Sequence, residues 1–556
     1  MPDSSRVPDG SVRFVPLGGL GEVGMNCFAL EQGEDILVVD CGVRFPEDDL
    51  GVDVVHPDFT WLLSNAERVR GLFLTHGHED HIGAVPYLMS GLDVPIWGPP
   101  HALGLVRKRL AEHEFREGDV EMRVAVPGRT YDVGSFRVEP IRVAHSIVEA
   151  SALAIRTAAG TVIHTGDFDF DEDPPDGEPT DEARLRELGD EGVALLLSDS
   201  TNVDVVQHGG TEKAVGRSLD ALVAQAEGRV FIALFASNIQ RLMLIGDIAR
   251  KTGRKICVLG RSLLTQTEVS ADIGRLEWPS DLRVSSEDAK SMPRREVLVL
   301  AGGTQGEPNS AMSRLAQGTH PDFALDETDT VILSSRVIPG NDRGVIRLMC
   351  DVLRRGARLH SRVTDPGVHT SGHATRLEQQ KMLELVRPRT FVPVHGTLHH
   401  LLRHAEVARD KGVPHALVVE NGTPVVLHAG SLRRDERVPS GIVRVGIGGV
   451  PLESGVLRER QDMARQGIAT VALVRDRTGA LTAPPDVVLR GIPGMGDGAD
   501  VRALRGEVER AATNGRRKRL DDEAVKVEVR RAVRRFLLDV SGQKPVVDVL
   551  LLEAED

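Results

Sequence analysis

The sequence predicts an α/β protein: an αββα sandwich, an inserted parallel βαβ domain, and a small α/β domain at the C-terminal end. Three observations predict it. Short β-rich runs separated by Gly and Asp turns fill the first two hundred residues, with few helical patterns between them. From residue 218 helix and strand patterns alternate regularly, the period of a parallel domain. After residue 364 the chain returns to β character before a polar, Gly-rich stretch and a last α/β segment. At 556 residues the chain is too long for one core, given about 100–200 residues per domain.

The elements follow in order. Residues 12–17, 36–40, 71–75, 136–143, 153–156, 162–165 and 194–198 read as strands, with helices near 82–89 and 101–114. Helix 218–227, strand RVFIALF, helix 238–252 and strand KICVLG begin the alternation. It continues through EVLVLAGGTQG and TVILSSRVIPGN to helix 343–355. RTFVPVHGT and HALVVENGTPVVLHAG restore the β pattern. The division that results is 1–208 for the first part of the sandwich, 209–365 for the insertion and 366–430 for the second part. A linker follows at 431–460 and a C-terminal α/β domain at 461–556. In that last domain 468–474 and 545–552 read as strands and 523–539 as a helix; GRRKR at 515–519 reads as a solvated loop, with RNA contact as the alternative.

Composition bounds the function. Hydrophobic residues at 41% and charged residues at 27% exclude a largely disordered chain. No apolar run approaches the ~20 residues that span a bilayer, and the N-terminal stretch lacks a basic segment followed by an apolar one, so neither a membrane protein nor a secretory signal is expected. Four scattered cysteines without a CxxC pair read as buried free thiols of a cytoplasmic protein. The net charge of −14 argues against simple electrostatic capture of a polyanion. Its distribution does not. Residues 1–208 hold 16 basic and 38 acidic side chains, a net of −22, whereas 209–365 sum to +3 and 366–556 to +5.

The chemistry concentrates in LTHGHEDHIGAVP, 74–86. His76, His78, Asp80 and His81 occupy a tight loop between a strand and a helix. Imidazoles and carboxylates at this density suit Zn²⁺ first, with Mn²⁺ or Mg²⁺ as alternatives. His145 and Asp167 each follow a strand, where a lone His or Asp is ordinarily a turn residue. Here both sit on further strands of the same sandwich, so ligation is the stronger reading, and an aspartate between two ions can bridge them.

HGHEDH, His145 and TGD at 165–167 resemble the metallo-β-lactamase superfamily. LLSDSTN at 196–202, HTSGHAT at 369–375, FVPVHGT at 391–397 and the insertion resemble the three motifs of the β-CASP nucleases. PLGGLGEVGMN at 16–26, IPGN at 338–341 and the C-terminal extension are similar to bacterial ribonuclease J. The resemblance implies two divalent ions, one on His76, His78 and His145, the other on Asp80, His81 and His395, with Asp167 shared. It implies a supporting role for Asp199, and a role near the scissile phosphate for His373. It implies hydrolysis of single-stranded RNA, 5′→3′ from 5′-monophosphate ends and also internally, in RNA decay and maturation. A homodimer or homotetramer with RNA-decay partners is implied as well.

For the terminal phosphate two segments are candidates. One is His369, Thr370, Ser371, Gly372 and His373; the other is Ser237 or Asn238, either of which could cap the following helix and present its N-terminus to an anion. A structural cation at Gly51 and Asp53 is a weaker expectation, because Gly449 in GIGGV stands where relatives place an aspartate. The alternatives are a β-CASP DNA nuclease and a small-molecule ester or thioester hydrolase of the same fold.

Overall fold

The computed structural model describes residues 8–46, 50–207, 209–338, 340–495 and 498–554. Residues 1–7 of the N-terminal stretch and Pro339 of IPGN lie outside them. The chain forms two compact units, residues 1–47 with 54–443, and residues 48–53 with 444–556. No helix among the described residues is long and apolar enough to cross a membrane.

In the first unit two sheets face each other. One has eight strands, in the order Ser431–Arg434, Val425–His428, Ser11–Gly18, Cys27–Gln32, Asp35–Val39, Val69–Phe73, Ile96–Gly98, Met122–Val124. The other has seven: His415–Ala416, Thr390–Val394, Val193–Asp199, Gly160–His164, Ser151–Thr157, Phe136–Arg142, Tyr131–Val133. Strand periodicity explains the layering. Leu195 and Leu197 point into the core shared by the sheets, against Phe14, Phe28 and Phe73. Leu196 points the other way, under the helices Glu182–Glu191 and Arg376–Val386, and Val193 joins it because the register shifts between Val193 and Leu195. Each fully buried apolar side chain contributes about 1.5–3 kcal/mol.

Residues 212–361 hold a six-stranded, all-parallel sheet, ordered Arg283–Val284, Lys255–Leu259, Val297–Ala301, Val230–Leu234, Thr330–Ser334, Arg358–Ser361. Strand VFIAL is buried at all five positions. Its alternate residues feed two cores, Val230, Ile232 and Leu234 on one face and Phe231 and Ala233 on the other, as a helix-covered parallel sheet requires.

In the second unit, strand Ile468–Arg475 lies between Asp486–Arg490 and Val546–Glu553, with the helices Gly498–Arg517 and Asp522–Ser541 on one face. Four details differ from the sequence reading. Residues 431–434, read as the start of a linker, are an edge strand paired with Val425–His428. Helix Ser454–Gln466 runs through the linker's end. Residues 515–517 of GRRKR end a helix instead of lying in a loop. Cys350 is exposed, while Cys27, Cys41 and Cys257 are buried.

Candidate metal centre

Strand pairing brings the candidate ligands to one edge. Gly160–His164, Val193–Asp199 and Thr390–Val394 are parallel neighbours, so Asp167, Asp199 and His395 emerge from their C-terminal ends together. Phe136–Arg142 reaches the same edge through the register Arg142 to Ser151 and Leu153 to His164, which delivers His145. From the facing sheet, Val69–Phe73 delivers the 76–81 loop. The helix Glu79–Ile82 starts at once and carries Asp80 and His81 in its only turn.

Three groups of side chains close on one another, each with ligand atoms within 4.8 Å: His76, His78, His145 and Asp167; Asp80, His81, Asp167 and His395; and Asp167, Asp199, His373 and His395. Asp167 belongs to all three. His78 Nδ1 lies 3.0 Å from His76 Nε2 and 3.1 Å from His145 Nε2. Asp167 Oδ2 lies 3.2 Å from His81 Nε2, and Asp167 Oδ1 accepts from His395 Nδ1 at 2.8 Å. His373 Nδ1 donates to Asp199 Oδ2 at 2.9 Å.

The side chains fit a divalent cation. His145 Nδ1 donates to the Gly372 carbonyl (2.5 Å) and His81 Nδ1 to Asp40 Oδ2 (2.8 Å), so each ring turns its Nε2 lone pair into the site. His395 Nε2 is buried without a hydrogen-bond partner, 3.4 Å from Asp80 Oδ2. Burial pushes His76 and His78 well below the usual imidazole range and His145 down to about 4, the neutral state in which imidazole ligates. On the carboxylate side burial is outweighed. Asp167, Asp40 and Asp80 raise His81, and Asp167 with Asp80 pushes His395 up to about 10. Asp80, Asp167 and Asp199 stay below the ordinary carboxylate range despite burial, held down chiefly by His81, His395 and His373 respectively. A cluster this acidic and this buried calls for positive charge, which bound divalent cations supply.

Comparison with known proteins follows the same outline. Residues 20–233 match the metallo-beta-lactamase superfamily, 227–352 the ribonuclease J beta-CASP domain, 366–418 the Zn-dependent metallo-hydrolase RNA specificity domain, and 455–554 the ribonuclease J C-terminal domain. A ribonuclease J of Synechocystis is 40% identical over 87% of this chain and 76% of its own length. Ribonuclease J 1 of Streptococcus pyogenes is 36% identical over 96% of both chains. The chain belongs to the ribonuclease J family. Ribonuclease J of Sinorhizobium meliloti is likewise 36% identical, over 98% of this chain and 97% of its own. A crystal structure of a protein of unknown function from Enterococcus faecalis shares the fold, with a TM-score of 0.54 at 16% identity over 75% of this chain and all of that one.

In this ribonuclease J family chain the segments expected to hold a terminal phosphate lie beside the centre. Asn238 caps the helix Ile239–Lys251 by accepting from Arg241 N–H, and its amide donates to Glu212. Ser237 immediately precedes it and is half-buried. Arg241, wholly buried, is paired with Glu212 and reaches His369 Nδ1 at 3.0 Å. Burial and Arg241 hold His369 well below its usual range, and its buried Nε2 has no partner. Thr370 Oγ1 donates to the Gly210 carbonyl. Ser371 Oγ accepts from Asn202, which also binds the His373 carbonyl and the Arg336 guanidinium. Gly372 has a second duty: a Cβ there would lie 2.6 Å from Ser146 N, so a side chain would push its carbonyl off His145. Gly51 stands elsewhere, in the second unit, where Arg460 Nη1 donates to the Leu50 carbonyl at 2.7 Å and lies 3.5 Å from that of Gly51. That places one positive charge beside Gly51, just before the strand Val52–Pro57 that holds Asp53.

Sequence reasoning missed Asp40 and Asn26. Asp40 Oδ1 accepts Thr75 N–H, and Oδ2 takes both Thr75 Oγ1–H and His81 Nδ1–H, each at 2.8 Å. Asn26 Nδ2 lies 3.0 Å from His81 Nε2 and 3.2 Å from the Asp80 carbonyl. The available signal for Asp40 was a carboxylate ending the apolar strand ILVV, in a left-handed conformation with φ of 56°.

Proposed function

We propose that the protein is a metal-dependent ribonuclease that hydrolyses single-stranded RNA at this centre. In this reading it acts as a 5′→3′ exonuclease favouring 5′-monophosphate ends and also as an endonuclease, in cytoplasmic RNA decay and maturation, as a homodimer or homotetramer. One observation carries it: in a chain of the ribonuclease J family, His76, His78, Asp80, His81, His145, Asp167 and His395 converge at one edge of the facing sheets. His76, His78 and His145 would hold one cation, Asp80, His81 and His395 a second, with Asp167 between them; zinc suits the imidazole-rich set best, manganese or magnesium next. Bound ions would supply Lewis acidity toward the phosphoryl group and a water of lowered pKa.

The chain's own groups do the rest. His373 Nδ1–H donates a hydrogen bond to Asp199 Oδ2, which orients the ring and leaves Nε2 for the phosphoryl or leaving oxygen. Asp199 is itself fixed, since its Oδ1 accepts from Thr201 N and Oγ1. The His369–His373 segment and the capped helix at Ser237 and Asn238 would receive the terminal phosphate, with Arg336 and Arg362 adding positive charge beside His369.

The test is digestion of labelled 5′-monophosphate RNA, 5′-triphosphate RNA and single-stranded DNA, with single metals restored after chelation. Mononucleotides released fastest from the monophosphate RNA support the reading. Equal rates from the two RNA ends would remove the phosphate pocket. Preference for DNA, or thioester hydrolysis without RNA hydrolysis, would overturn the ribonuclease.

A further inference from the structure

Glu149 lies four residues after His145, on the loop that closes the first ligand group, in a left-handed conformation with φ of 63°. Its side chain is 9% exposed. One carboxylate oxygen, Oε2, accepts the backbone N–H of His101 at 2.8 Å. His101 is the second residue of the helix Pro100–Glu112, so this N–H is one of the first-turn donors a helix cannot satisfy itself. The other oxygen accepts Arg275 Nε at 2.8 Å. Arg275 follows the helix Arg261–Asp272 of the inserted parallel domain.

The contact does not stop there. The His101 ring is fully buried, and its Nε2 lies 3.1 Å from Ser270 Oγ on that same helix. Its Nδ1 has no hydrogen-bond partner and sits 3.1 Å from where a Cβ on Gly77 would lie, between His76 and His78. Beyond it Lys108 pairs with Glu268 at 2.7 Å. The loop bearing Glu149 also returns to the metal loop directly, through Ser151 N–H to the Thr75 carbonyl at 3.1 Å. One carboxylate thus joins the His145 loop, the helix that backs His76–Gly77–His78, and the inserted domain.

We infer that Glu149, tied to Arg275, is a positioning residue that sets the His76, His78 and His145 group from the inserted domain. Movement of that domain acts on this ligand group through a two-bond carboxylate, whereas among the described residues no hydrogen bond or ion pair joins the side chain of Asp80, His81 or His395 to that domain. The inference rests on the metal-centre reading above, and its test reads metal binding separately from RNA hydrolysis.

The metal-depleted full chain is titrated with zinc against a chromophoric chelator in wild type, Glu149→Gly, Glu149→Gln, Arg275→Gln and the double variant Glu149→Gly/Arg275→Gln. Glycine adopts the left-handed backbone freely, so Glu149→Gly keeps the loop conformation and removes only the carboxylate. Expected is a loss of about tenfold in one of two zinc-binding steps, at the low end for partners of metal ligands, with the other step unchanged. The double variant should be no weaker than either single, because both act through one tie. The kcat on RNA should fall with KM within about twofold. Wild-type zinc binding in folded Glu149→Gly, equal weakening of both steps, or additive losses in the double variant would each overturn the inference. If wild type itself binds zinc but cleaves no RNA, the ribonuclease reading fails while the tie is still decided by the titration.

Discussion

Asp40→Asn isolates the carboxylate that the ligand motif itself does not contain. The asparagine is nearly isosteric and tolerates the left-handed backbone at φ of 56°, so the loop should hold its shape. Its carbonyl can keep the Thr75 N–H bond made by Oδ1. The atom replacing Oδ2 is a donor facing His81 Nδ1 at 2.8 Å. The imidazole must then accept at Nδ1, which moves its proton to Nε2 and points a hydrogen at Asp167 Oδ2, 3.2 Å away, where a lone pair is needed. The lost charge-assisted hydrogen bond is worth about 1.5–3 kcal/mol, or roughly 10- to 150-fold in metal affinity. That range overlaps the roughly 10–100-fold typical of partners that orient metal ligands. Zinc titration of the metal-depleted variant measures affinity, and initial rates on 5′-monophosphate RNA measure turnover. A folded Asp40→Asn protein with wild-type zinc affinity and wild-type rate would refute the tautomer argument.

The remaining predictions are direct. His81→Ala removes an imidazole that faces both Asp80 and Asp167, so hydrolysis should be abolished while the thermal transition persists; near-wild-type ribonuclease activity would sink the two-ion assignment. Gly42→Ala places a Cβ 1.7 Å from the Asp80 carbonyl oxygen, which forces backbone apart and should cost more than about 3 kcal/mol, read as a lowered denaturation midpoint. Buried His404 is held down to about 3 by desolvation. The unfolded chain protonates this group near 6.5, so it binds more protons than the folded chain between these values and stability falls as pH drops from about 6.5 toward 3. His404→Gln should flatten that loss, visible as a smaller fall in melting temperature between pH 7 and pH 5. RNA affinity should drop steeply between 50 and 200 mM salt, because phosphate contacts release counterions; salt-independent binding would exclude a basic RNA path.

Much of the architecture was legible because its signals are local. VFIAL and VALLLSD are apolar runs of strand length buried on both faces, and HGHEDH packs four ligand side chains into six residues. The helices flanking the second half of the sandwich were not legible. In Leu398–Asp410 the buried stripe Leu401, His404, Ala405 and Ala408 is interrupted by a histidine, which no hydrophobic periodicity counts as core. In the second unit, Gly498–Arg517 likewise turns Leu504, Val508 and Ala512 inward amid Arg, Ala and Gly, too sparse a stripe to stand out. The strand Ser431–Arg434 is a short, mostly exposed edge whose partners, not its residues, make it a strand.

By itself the sequence determined the chemistry of the site: imidazoles and carboxylates at strand ends, on a chain whose net negative charge is confined to its first 208 residues. Only tertiary structure decided how those groups are aimed. The partner of His81 is 41 residues away and that of His145 is 227 residues away. Glu149 meets Arg275 across 126 residues, from a different domain. A side chain's identity says what it can donate or accept. Which tautomer it presents, and toward what, depends on a neighbour that only folding brings within about 3 Å.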